Sequence, residues 1–186
     1  ADVEPAQVMY ALWERGVLTI EFNVSPASGT MSPEDVVWAE DFIVPACTVD
    51  YAGYECVGWS NVAAGVVYGI GVTIASVKSD IGLVAVWEPV DYSIAFAGNG
   101  GAGSMARLDV SYGEEVGLPT NAYVRSGCTF GGWRAEDGGT LADGATVKNL
   151  ASAGGAVVTL TAQWIENAYT LTYHDGSEVT NVNVRA

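Results

Sequence analysis

The chain has 186 residues, of which 49% are hydrophobic and only 16% charged, with 23 glycines, a composition that suits turn-rich globular modules and argues against disorder. Its 22 acids against 7 bases give a formal net charge of −15, which disfavours nucleic acid and anionic membrane surfaces as partners through repulsion of their phosphates. No apolar run approaches the ~20 residues that span a bilayer as a helix, and no signal-peptide pattern opens the sequence, so the segment reads as a soluble piece of a longer chain.

In chain order, residues 8–13 (Val-Met-Tyr-Ala-Leu-Trp) read as a strand that recurs at 83–87 and 160–164, each time ending in tryptophan. Leu18, Ile20 and Phe22 then alternate with Thr19, Glu21 and Asn23, the period-2 pattern of a strand with one buried face. Turn residues follow at 25–29, and a second strand near Val36-Val37-Trp38 closes a hairpin. The same hairpin recurs with Tyr92, Ile94 and Phe96, a glycine-rich turn at 98–103 and Val110-Ser111-Tyr112. Ile43-Val44-Pro45 and Gly117-Leu118-Pro119 lie 74 residues apart, and proline limits any helix there to a short preceding turn.

The strongest recurrence is Gly53-Tyr54-Glu55-Cys56-Val57-Gly58-Trp59 with Gly127-Cys128-Thr129-Phe130-Gly131-Gly132-Trp133, again at an offset of 74. Beyond it, residues 71–77 match 144–150, and an insertion near 152–155 falls in a glycine-rich loop while the strands keep register. Tyr169, Leu171 and Tyr173 restart the pattern. The expected organisation is therefore a closing strand over 1–16, modules over 17–90 and 91–167, and the first hairpin of a further module over 168–186. Residues 17–90 carry nine acids and one base, and 91–167 eight and four.

These motifs, with Tyr112-Gly113, Gly144-Ala145-Thr146-Val147 and Leu160-Thr161-Ala162-Gln163-Trp164, resemble the Listeria/Bacteroides repeat of the internalin B-repeat type, over essentially the whole chain. Repeat two matches better; repeat one departs with Trp38-Ala39 for tyrosine-glycine and Cys56 for phenylalanine. The resemblance implies an α+β, β-dominated fold of tandem, small β-grasp-like modules on a bacterial cell surface, with no catalytic residues and no cofactor. The function expected from it is a non-enzymatic extracellular spacer and interaction module of an adhesin-like protein. The alternative is a module that binds a glycan or a host or matrix protein through aromatics the repeats do not share, with Tyr68 and Tyr123 as candidates. The two terminal fragments are complementary, which leads to an expectation of head-to-tail self-association.

The other chemistry-bearing patterns read as structural. The tryptophans occupy repeat-defining positions, where a large ring belongs in a core. Gly98-Asn99-Gly100-Gly101-Ala102-Gly103 satisfies G-x-G-x-x-G but precedes a strand, whereas a dinucleotide site needs a helix there. His174 is the sole histidine, which excludes a histidine metal cluster. Adjacent acids such as Glu34-Asp35 and Glu114-Glu115 lack calcium-loop spacing and read as solvated surface. Cys47, Cys56 and Cys128 occupy non-equivalent repeat positions, which excludes a shared disulfide framework; Cys56 and Cys128 read as small apolar residues in or near a core, with a Cys47–Cys56 bridge as the lesser alternative.

Overall fold

The computed structural model describes residues 14–176 and 178–185. The strand expected over 8–13 lies outside them. Contacts divide the chain into two units: one takes in the described residues to Tyr51 together with Cys56–Trp87, the other Ala52–Glu55 together with Glu88 onward.

The first unit is built on β1 (Val17–Asn23), β2 (Glu34–Val37), β3 (Phe42–Ile43), β4 (Tyr54–Asn61), β5 (Val66–Gly69), β6 (Thr73–Ile74) and β7 (Ile81–Pro89). Five of these form one mixed sheet in the order β2-β1-β7-β4-β5, while β3 and β6 pair separately. At its centre β1 and β7 run parallel, Ile20 opposite Ile81 and Phe22 opposite Leu83. Alternation buries Ile20 and Leu83 fully and packs Leu18 and Phe22 on the same core, leaving Glu21 exposed.

The second unit repeats this plan with β8 (Asp91–Ala97), β9 (Leu108–Ser111), β10 (Glu115–Gly117), β11 (Cys128–Arg134), β12 (Thr140–Leu141), β13 (Thr146–Lys148) and β14 (Val157–Glu166). Its sheet order is β12-β11-β14-β8-β9, with β8 and β14 parallel and a separate β10–β13 pair. A hairpin of β15 (Ala168–Asp175) and β16 (Glu178–Arg185) follows.

One expectation is overturned. The fold is all-β, with no helix among the described residues, instead of α+β. Parallel neighbours need a long crossover, usually helical, yet the segments between β2 and β4 and between β9 and β11 hold only the short strands β3 and β10 among turns and irregular chain. Phe42 and Val44 are buried on either side of exposed Ile43, a period of two that suits a strand and not a helix. Pro45 and Pro119 also lack an amide donor and bias the preceding residue away from helical backbone. The crossover is instead tied down by ladders, Phe42 opposite Ile74 and Val116 opposite Val147.

The tryptophans divide by position. Trp59 and Trp133 are completely buried, and Trp87 and Trp164 pack partly buried on the two cores. Trp38 departs from the core expectation: it is 46% exposed, because it stands just past β2 where the chain turns away from the sheet.

Candidate functional site

The twice-occurring glycine-tryptophan stretch forms β4 and β11. In a regular strand, residues three apart point to opposite faces. Along β11 the register to β14 slips between Phe130 and Trp133, so both rings reach the core, 4.9 Å apart and inclined at 66°. Gly132 permits the bulge: its φ is +109°, and a Cβ there would lie 2.6 Å from the Leu141 carbonyl oxygen. Gly58 is held likewise, since a Cβ would collide with the Tyr68 carbonyl across the β4–β5 pair. The motif is thus a device for seating a tryptophan. Phe22 meets Trp59 at 5.0 Å, and its repeat equivalent Phe96 meets Trp133 at 5.1 Å.

Tyr68 and Tyr123 lie in different units. Tyr68 stands on β5 directly opposite Trp59 and packs partly buried against the core. Tyr123 is 9% exposed, its ring 6.3 Å from that of Trp133 and its hydroxyl donating to the Phe96 carbonyl at 2.8 Å. Subtracting the repeat offset takes Tyr123 to Val49, itself a core-packed residue, so the repeat alignment held the signal that this is an interior position.

The glycine-rich turn is explained by the same rings. A Cβ at Gly98 would lie 2.6 Å from the Tyr123 ring, and one at Gly101 would lie 2.6 Å from that of Trp164. Trp164 Nε1–H donates to the Gly98 carbonyl at 2.9 Å, and its counterpart Trp87 donates to the Val24 carbonyl at 3.2 Å. The turn leads into β9, a strand, and so lacks the helix N-terminus that a pyrophosphate needs.

Among the described residues no three of His, Cys, Asp and Glu converge in a way that could hold a metal ion. All three cysteines are free thiols, so the Cys47–Cys56 bridge is not formed. Burial pushes the Cys56 thiol above its ordinary value of 9.0, and neighbouring Cys47 adds to the rise. The recesses among the described residues are open to solvent, with volumes of about 270 to 420 Å³. One of about 270 Å³ lies between Ala135–Asp137 and the chain around Leu150 and Ala156–Val158, with Glu136 and Asp137 as its charged lining. A second, on the β1–β7 face, is lined by Thr19, Glu21 and Asp80, where the Thr19 hydroxyl donates to Asp35 at 3.4 Å.

What distinguishes the units is the edge of each sheet. In the second unit β12 is flanked by Asp137 and Asp143, and the opposite edge, β9, carries Asp109. In the first unit β2 carries Glu34 and Asp35. The fourth edge, β5, carries no charge, and no charged residue occurs anywhere from Cys56 to Val77. Val62, Val66, Val67, Ile70 and Val72 are all exposed there, Val62 at 72% and Val67 at 62%.

In comparison with known proteins, residues 92–163 match the family model described as the Listeria-Bacteroides repeat domain. No curated protein matches the chain.

Proposed function

We infer, from the premise that residues 92–163 are a Listeria-Bacteroides repeat, that this chain is a non-enzymatic spacer and interaction segment of an extracellular, adhesin-like protein. The family is a non-catalytic domain type and occurs in bacterial surface proteins. The observation that carries the reading is that the repeated motifs are consumed by packing. Tryptophans and glycines seat one another in each core, joined in the second by Tyr123.

A spacer role also fits the first unit's repetition of the second unit's strand order, and the short sequences Glu88-Pro89-Val90 and Ile165-Glu166-Asn167 at the unit ends. The reading is tested by small-angle scattering together with NMR relaxation on the whole chain. A spacer requires both units to share one slow tumbling time and an extended distance distribution. Independent tumbling of the two sets of amides would sink it. Turnover of any substrate by the purified chain would sink the non-enzymatic part.

A further inference from the structure

Cys47 and Cys56 bring two thiols to one point of the first unit. Both are partly buried against the same core, Cys47 in the irregular chain ahead of β4 and Cys56 on β4 itself. Each donates to a carbonyl two residues on, Cys47 Sγ to Val49 at 3.8 Å and Cys56 Sγ to Gly58 at 3.5 Å, and the two thiols are also hydrogen-bonded to one another. Two sulfur atoms in contact, each partly open to solvent, are the reactants of a disulfide already side by side.

The contrast between repeats shows what a bond between them would hold. The 74-residue offset takes Cys47 to Asn121, Val49 to Tyr123 and Cys56 to Phe130, so the second unit has no counterpart of the thiol pair. There Asn121 clamps its own loop: its Nδ2 donates to the Tyr123 carbonyl and its Oδ1 accepts from the Tyr123 amide, both at 2.9 Å. In the first unit the corresponding bond is the long S–H···O contact from Cys47 to Val49, made by a weak donor. The loop that follows carries Tyr51, whose ring packs edge-on against Trp87.

We propose that Cys47 and Cys56 form a reversible intramolecular disulfide that fastens the Tyr51 loop to β4, with a small-molecule disulfide such as oxidised glutathione as the oxidant. The thiolate of one cysteine attacks a sulfur of the oxidant, forming a mixed disulfide and expelling one small thiolate. The thiolate of the other then attacks the protein sulfur of that mixed disulfide, forming the Cys47–Cys56 bond and expelling the second small thiolate. The two protons and two electrons given up by the cysteines end on the two released thiols. Cys47 belongs to no strand, so it closes the remaining distance without breaking a ladder. Burial holds the Cys56 thiol above its ordinary 9.0, which makes the exchange slower than at an exposed thiol. An extracellular location exposes the pair to such oxidants, but the exchange is a property of the first unit and stands or falls separately from the spacer reading.

The whole chain is equilibrated with mixtures of oxidised and reduced glutathione, quenched with N-ethylmaleimide and read by mass spectrometry. The expected product has lost two hydrogens and carries one N-ethylmaleimide, on Cys128. Cleavage after Glu55 separates Cys47 from Cys56 along the chain, so the two fragments should stay joined until a reductant is added. The equilibrium constant for bridge formation should be at least about tenfold larger in the folded chain than in concentrated urea, and by linkage the bridged chain should unfold at a higher urea concentration than the reduced one. Cys47→Ser and Cys47→Ala should each abolish both the bridge and the shift in midpoint, and Cys128→Ser should leave both in place. Thiols that stay free at every ratio, stop at the mixed disulfide or pair instead with Cys128 of another chain overturn the proposal. So does a bridge that closes no more readily in the folded chain than in urea, or one that lowers the urea midpoint.

Discussion

Tyr51 meets Trp87 edge-on, with ring centroids 5.5 Å apart and planes at 72°, and takes in the first unit the place that Phe130 takes against Trp164 at 5.7 Å and 71° in the second. The exchange explains how repeat one tolerates Cys56 where repeat two has Phe130: the ring missing from β4 is supplied from the loop before it. Restoring the phenylalanine should therefore conflict with Tyr51. Cys56→Phe alone should overpack and cost about 1–3 kcal/mol, and Tyr51→Ala alone should cost a similar amount through lost aromatic contact and burial. The double variant should be more stable than the sum of the single losses by about 1 kcal/mol or more, read from urea midpoints in a double-mutant cycle. Simple additivity would refute the compensation.

Gly132→Ala places a methyl group against the Leu141 carbonyl at a backbone angle that L residues rarely adopt. The expected loss is about 2–4 kcal/mol, from backbone strain and the slipped β11 ladder together. Gly117→Ala, where a Cβ meets nothing within 4 Å, is the control and should change the unfolding midpoint little.

The two buried tryptophans should respond unequally to Trp→Phe. Trp59 Nε1–H donates to the Pro45 carbonyl at 2.8 Å, whereas Trp133 Nε1–H is buried with no hydrogen-bond partner among the described residues. Both changes remove similar ring volume, but Trp59→Phe also strands a carbonyl, while Trp133→Phe removes an unsatisfied donor. Trp59→Phe should be the costlier by about 1 kcal/mol or more. Equal losses in denaturant titrations would contradict the assigned hydrogen bond.

Alkaline pH should weaken the first unit through Cys56. Its thiol is raised above 9.0 in the folded chain, chiefly by burial, so the unfolded chain gives up that proton first. The associated stability is fully present below 9.0 and declines as pH rises through the folded value. Between pH 8 and 10.5 the midpoint should fall more steeply for the natural chain than for Cys56→Val, and parallel slopes would count against the shift. Alkylation of Cys56 by iodoacetamide should also lag behind that of an unstructured thiol at the same pH.

The sequence by itself determined the repeat, the strand pattern and the tryptophans that close each unit. Those signals are local: a period of two along β1 and β8 and the 74-residue recurrence need no knowledge of what lies across the sheet. The same recurrence could have placed Tyr123 in the core through Val49, because a repeat position inherits its environment. Tertiary structure decided the rest. The absence of a helix depended on ladders that tie the crossover to β6 and β13, partners about thirty residues further on. The bulge that turns Phe130 and Trp133 to one face depended on their partners in β14 and β12. An uncharged stretch from Cys56 to Val77 is visible in the sequence, but an edge is a property of strand order. Strand order is set by pairings between distant residues, and it alone leaves β5 with one side unpaired among the described residues.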